Sequence, residues 1–240
     1  MAKAQTVIVT GASQGIGAAV VRGFLERGYN VVATSRNITG TEYAPSATLA
    51  VVRGDISNAA TAKEVTTTAI NRFGSIDHVV NNAGIFSAKP FTDYTADECH
   101  AFFATNLDGF IFITQLAVKR MLLQKIGGSV TTITAALADN PMVGLPASIP
   151  MITKGGLNAV TLSLASEYAS AAIRFNAVAP GVVDTPLHRN LRTDLPNTRS
   201  PMGTFSSAAD IAKAVIYLTE AGHVTGEVLH VDDGAHVGRW

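Results

Sequence analysis

The chain predicts a single α/β domain built on a doubly wound parallel sheet of about seven strands, with helices on both faces. Three observations predict it. Short β-branched runs alternate with longer helical patterns, the order that crossover connections between parallel strands require. Most of the runs are apolar throughout instead of alternating, as strands covered on both faces must be. A glycine-rich turn separates the first run from the first helical pattern, which makes the expected fold Rossmann-like.

In chain order the strands are expected at Thr6–Val9, Asn30–Thr34, Leu49–Arg53, His78–Asn81, Ser129–Ile133, Arg174–Val178 and Glu227–Val231. Helices are expected over 15–27, 58–73, 97–124, 151–170 and 207–220, where apolar residues recur at helical spacing. The stretch from Thr185 to Phe205 carries three prolines and no regular period. A long irregular loop in a compact domain is usually functional, so 185–205 is read as a substrate loop. Without repeats or a linker, residues 1–240 form one unit.

Composition narrows the function. Hydrophobic residues make up 47% of the 240, enough for a core without disulfides or metals. Charged residues are only 15%, against roughly 25% in an average domain, so part of the surface is expected to be covered by sister subunits in a homodimer or homotetramer. Eighteen basic residues balance eighteen acidic ones, which argues against nucleic acid as a partner. The histidines lack metal-ligand spacing, and Cys99 is the single cysteine, so no metal site or disulfide framework is expected. The first residues run straight into a strand, and no stretch approaches the roughly 18 apolar residues of a membrane span. A cytoplasmic location, with no membrane partner, is the resulting expectation.

The chemistry begins at Thr10-Gly11-Ala12-Ser13-Gln14-Gly15-Ile16-Gly17. Glycines permit a tight turn and let main-chain N–H groups approach a pyrophosphate, and the helix that follows offers its positive dipole end to an anion. The end of the second strand then chooses between dinucleotides. A carboxylate there would bond a free ribose 2′-hydroxyl and repel a 2′-phosphate. Ser35-Arg36 stands there instead, and a hydroxyl beside a guanidinium suits a phosphate. The expected cofactor is NADP(H).

Together with motifs downstream, these residues resemble the short-chain dehydrogenase/reductase family along essentially the whole chain. Gly11, Ser13, Gln14, Gly15, Ile16 and Gly17 match its cofactor loop, and Asp55-Ile56 match its adenine-binding pair. Asn81-Asn82-Ala83-Gly84 match the stretch after the fourth strand, and Asn106 matches the asparagine of the catalytic set. Pro180-Gly181-Val182-Val183-Asp184-Thr185 match the segment that holds the nicotinamide amide, and Val231-Asp232-Asp233-Gly234 resemble a C-terminal signature. The resemblance implies hydride transfer to or from a small carbonyl, alcohol or activated acceptor.

The same resemblance exposes a departure. In the family a tyrosine four residues before the lysine moves the proton, and a serine bonds the reacting oxygen. Here Lys154 is preceded at that spacing by Pro150, and the serine position falls on Ala135, with Thr134 beside it. Proline has neither an ionisable proton nor an N–H, although it suits the first turn of a helix. Losing a positioned proton donor costs about 10²–10⁴ in rate. Asn106, Lys154 and Thr134 are left as catalytic candidates, with Thr153 and His188 as further proton sources. Lys154 could equally serve only to bind the cofactor ribose. The competing reading is a catalytically silent NADP(H)-binding protein, a sensor or the partner of an active subunit.

Overall fold

The computed structural model describes residues 4–39, 43–44, 46–186 and 200–237. Its strands are β1 (Thr6–Thr10), β2 (Asn30–Ser35), β3 (Leu49–Arg53), β4 (His78–Asn81), β5 (Gly128–Ile133), β6 (Ile173–Pro180), β7 (Val183–Asp184), β8 (Ser206–Ser207) and β9 (Val228–Val231). Seven of them form one sheet in the order β3-β2-β1-β4-β5-β6-β9, every neighbouring pair parallel. The winding reverses between β1 and β4, and in sheets of this kind ligands bind in the crevice beyond the carboxyl ends of the strands at that point. The candidate site residues gather there.

The helices are α1 (Gly15–Glu26), α2 (Ala59–Phe73), α3 (Ala96–Phe102), α4 (Gly109–Gln124), α5 (Ser148–Tyr168) and α6 (Ala208–Glu220). On one face α1 and α6 bury Val20, Phe24, Ile211 and Val215 against Val7, Val9, Val31 and Ala33 of the sheet. On the other, α2, α4 and α5 bury Val65, Ile113 and Leu157 against Ile8, Val32, Val79 and Val130. The alternation of strand residues between the two clusters follows from the two-residue period of a strand, and it explains runs apolar at every position.

Local signals set the helix ends. Asn58 accepts a hydrogen bond from Ala60 N at the start of α2, and Gly74 ends that helix at φ 84°. Thr95 with Glu98, and Ser207 with Asp210, close reciprocal capping boxes at α3 and α6. Pro150 lies in the first turn of α5, where its missing N–H breaks no helical bond.

Two expectations need correction. The single helix expected over 97–124 is interrupted by a wide π-type turn at Phe103–Asp108, because Gly109 N bonds five residues back to Ala104 O. This combined helix, Ala96–Gln124, is by length and composition apolar enough to cross a membrane, contrary to the expectation of no such stretch. Here Phe102, Phe110, Ile113, Ala117 and Met121 are buried inside the protein core, which accounts for part of the apolar run, while Ile111, Leu122 and Leu123 stay exposed. The segment expected as a loop over 185–205 is flanked by β7 pairing with β8, Val183 beside Ser206. Residues 187–199, with His188, lie outside the described residues.

Candidate functional site

The turn from β1 to α1 is built on three glycines with different tasks. Gly11 and Gly15 take φ of 65° and 54°, which side chains other than glycine rarely adopt. Gly17 has an ordinary backbone, but a Cβ on it would lie 2.2 Å from Gly11 O and 2.6 Å from Asn82 Nδ2. Its missing side chain makes room for the turn itself, a task beyond the phosphate approach expected of these glycines.

The turn is latched to β4. Thr10 Oγ1 accepts N–H bonds from Asn82 and Ala83, both at 3.0 Å, and Asn82 Nδ2 donates to the carbonyls of Thr10 and Gly11 at 3.0 and 3.1 Å. Tyr43, buried, donates its hydroxyl to Ala12 O from the far side. Gln14 precedes α1 without a side-chain cap, and the first turn, containing Gly15, Ile16 and Gly17, has no acidic residue. An uncapped, carboxylate-free helix start beside a rigid turn fits the pyrophosphate of a dinucleotide.

At the end of β2, Ser35 and Ser13 of the turn place their hydroxyl oxygens 3.0 Å apart. Arg36 Nη1 lies 3.9 Å from Asp55 Oδ2, both side chains largely open to solvent. Asp55 Oδ1 is fixed by the N–H and hydroxyl of Ser57, at 3.0 and 2.7 Å. Ile56 is buried in the core, where a Cβ on Gly109 would meet its Cγ2 at 2.9 Å.

On the other side of the crevice, Asn106 and Lys154 converge on Gly84. A Cβ there would stand 3.2 Å from Asn106 Oδ1 and 3.3 Å from Lys154 Nζ. Asn106 sits in the wide turn, buried, and clamps the backbone of Ile85. Its Oδ1 accepts from Ile85 N at 2.9 Å, and its Nδ2 donates to Ile85 O at 3.3 Å and to Thr153 Oγ1 at 3.0 Å. The Thr153 hydroxyl in turn donates to Pro150 O at 2.7 Å. Lys154 Nζ donates to Ile133 O at 2.7 Å, and burial pulls its ammonium down to about 8. The Thr134 hydroxyl donates to Val178 O at 3.3 Å and is buried. Ala135 and Pro150 bring no polar side-chain atom to this end of the crevice.

The segment after β6 returns to the turn. Pro180 ends β6, and Gly181 N bonds Val231 O at 3.1 Å, where a Cβ would strike Asp232 Cα at 2.9 Å. Val183 is fully buried. Thr185, buried, stands over Gly15, its Cγ2 at 3.3 Å from a Cβ built there. The structure therefore brings the glycine turn, the Ser35–Arg36 end, Asn82–Gly84, Lys154 and Thr185 around one crevice.

An enoyl-(acyl carrier protein) reductase family model matches residues 11–236. The chain is 33% identical to 3beta-hydroxysteroid dehydrogenase 1 of Eggerthella lenta, over 97% of this chain and 94% of that relative. The chain belongs to the short-chain dehydrogenase/reductase family. Among solved structures of that family, it resembles 3-ketoacyl-(acyl-carrier-protein) reductase from Brucella melitensis complexed with NADH, with a TM-score of 0.89, 27% identity, and coverage of 98% of this chain and 99% of that one. It also resembles ElxO with NADP bound, with a TM-score of 0.87, 25% identity, and coverage of 98% and 100%.

For a short-chain dehydrogenase/reductase, some supporting groups carry no sequence signal. Tyr43 braces the glycine turn through Ala12 O only because the fold brings it there. At the C-terminal side, Asp233 bonds Thr204 and Ser206 at 3.3 and 3.0 Å and so holds the returning end of the 185–205 loop. Asp232 accepts from His236 Nδ1 at 2.9 Å, and the His236 ring stacks on His230 at 4.2 Å. These two histidines, scattered in sequence, are neighbours in space, although no cluster among the described residues could hold a metal ion.

Proposed function

We propose that the chain is an NADP(H)-dependent oxidoreductase that transfers a hydride to or from a small carbonyl, alcohol or activated acceptor through an atypical proton relay. The observation that carries this reading is the joint arrangement of an uncapped α1 start, the Ser13–Ser35 pair and the Arg36 guanidinium on one side of the crevice, with Lys154 and Thr185 on the other. When bound, a nicotinamide supplies or accepts the hydride. The N–H groups of Gly15, Ile16 and Gly17 would face the pyrophosphate. Ser35 and Arg36 would hold the 2′-phosphate, with Asp55 and Ile56 beside the adenine. Asn82, Ala83 and Gly84 would line the ribose path, and Lys154 would bond the ribose of the nicotinamide half. Pro180, Gly181, Val183 and Thr185 would fix the amide end.

The proton is the weak link. Pro150 has none to give, Thr134 bonds Val178 O, and Asn106 is engaged by Ile85 and Thr153. Lys154 remains as the titratable group beside Gly84, with His188 outside the described residues. Pro150 also favours a second reading, a silent NADP(H)-binding protein that senses the cofactor or pairs with an active subunit.

The reading includes a homodimer or homotetramer in the cytoplasm. Exposed Ile111 and Leu122 on α4, with Ile152 and Leu162 on α5, leave these two outer helices with apolar side chains in water.

Titration calorimetry of the purified protein with NADPH and NADH tests the assignment. NADPH should bind more tightly, and Arg36→Asp should weaken NADPH far more than NADH. Equal losses for the two would sink the cofactor preference, and binding of neither would sink the reading altogether.

A further inference from the structure

The end of β3 carries a cation that the cofactor motifs do not include. Arg53 is paired in register with Ser35, and in a parallel ladder such partners project to the same face of the sheet. That face is the one carrying Val31 and Ala33, packed toward α1 and the glycine turn. Ser35 uses it to reach Ser13 Oγ at 3.0 Å. Arg53 is exposed, and its Nε donates to the main-chain carbonyl of Arg36 at 3.0 Å. That bond fixes the plane of the guanidinium and leaves its two terminal nitrogens without a partner among the described residues.

Two guanidiniums therefore flank a pair of hydroxyls at the open edge of the sheet. One of them, Arg36, has a single carboxylate near it, Asp55 at 3.9 Å. Two positive charges against one negative leave a net cationic cluster of four hydroxyl and guanidinium groups, the donor set that a phosphate monoester takes. We infer that Arg53 is a specificity-determining residue, a second guanidinium that binds the 2′-phosphate of the cofactor together with Arg36, Ser13 and Ser35. This rests on the NADP(H) reading and adds to it a residue from a different strand.

The physical role of the Arg53 Nε bond is preorganisation. A guanidinium already held against a carbonyl loses less side-chain freedom when an anion arrives. The two unpartnered nitrogens then contribute charge-assisted hydrogen bonds, which at an exposed site correspond to about tenfold in affinity.

The test uses the intact protein and four probes followed by calorimetry: NADPH, NADH, 2′,5′-ADP and 5′-AMP. Arg53→Gln keeps a side-chain N–H donor and removes the charge. It should weaken NADPH and 2′,5′-ADP about tenfold and leave NADH and 5′-AMP within about twofold. Arg53→Lys should recover part of the loss. Unchanged NADPH affinity in Arg53→Gln overturns the inference. So does an equal fall for NADH, which would make Arg53 a support for the Arg36 backbone alone. Wild-type protein that binds NADH as tightly as NADPH instead overturns the cofactor reading on which the inference rests, a result that needs no variant.

Discussion

Lys154 Nζ donates to the main-chain carbonyl of Ile133 across 2.7 Å, tying α5 to the end of β5 with an ammonium that burial holds near 8. The usual lysine value is 10.5, so the charged form is disfavoured in the folded protein. The unfolded chain therefore binds more protons at this position between pH 8 and 10.5, and stability from Lys154 rises with pH across that window. Below pH 8 the burial cost is fully present. Lys154→Met should accordingly stabilise the free protein at pH 7, by about 1 kcal/mol, and the gain should shrink as pH approaches 10.5. Urea unfolding at pH 7 and pH 10 measures both. Destabilisation at pH 7 would show that the bond to Ile133 O outweighs burial.

Gly17→Ala should cost more stability than an alanine in a helix ordinarily does. Its Cβ would sit 2.2 Å from Gly11 O, a main-chain atom, and 2.6 Å from Asn82 Nδ2, which leaves little room for relief. Overpacking of this kind costs about 1–3 kcal/mol or more. Thermal unfolding without any cofactor present is the appropriate readout. A variant as stable as wild type would return Gly17 to the role of clearing space for phosphate.

Asn106 offers a separation of scaffold from chemistry. Asn106→Ala removes the bonds to Ile85 N, Ile85 O and Thr153, and leaves buried groups unpaired. A loss of about 2–4 kcal/mol is expected in denaturant unfolding. Asn106→Asp keeps the acceptor for Ile85 N and loses the donors, so its cost should be different in origin and sensitive to pH. Wild-type stability in Asn106→Ala would remove Asn106 from the scaffold and leave only a role in reaction.

Pro150→Tyr combined with Ala135→Ser would supply the tyrosine and serine that the resemblance leads one to expect at these positions. If the crevice already binds NADPH productively, the double variant should reduce carbonyl compounds about 10²–10⁴ times faster than wild type, measured by NADPH oxidation over a panel of aldehydes and ketones. No gain over wild type on any member would argue that the proton moves by another route. Activity in the variant with none in wild type would favour the silent reading.

Much of this molecule is legible in its residues alone. β3 and β4 fall where their apolar runs end, and α2 and α6 begin where Asn58 and Ser207 cap them. Those signals act within a few residues of chain, so composition and spacing carry them. The wide turn at Phe103–Asp108 escapes such reading because helix runs directly into it from Ala96–Phe102 and directly out of it into Gly109–Gln124. The bond from Gly109 to Ala104 is a choice of hydrogen-bond register, and no periodicity records that choice. Arg53 escapes for another reason. It reads as the solvated end of an edge strand until β2 lies beside it.

The sequence by itself determined the parallel sheet, the glycine turn, the Ser35–Arg36 pair at the end of the second strand and the absence of a proton-bearing side chain at position 150. Each is a matter of residue type and local spacing. The tertiary structure alone decided that Gly17 clears space for Gly11, that Lys154 spends a bond on Ile133, that Asn106 clamps Ile85, and that Arg53 stands beside Ser35. These partners are far apart along the chain or belong to different strands. Only the packing of strands and helices into one core fixes the distances at which their charges and hydrogen bonds act.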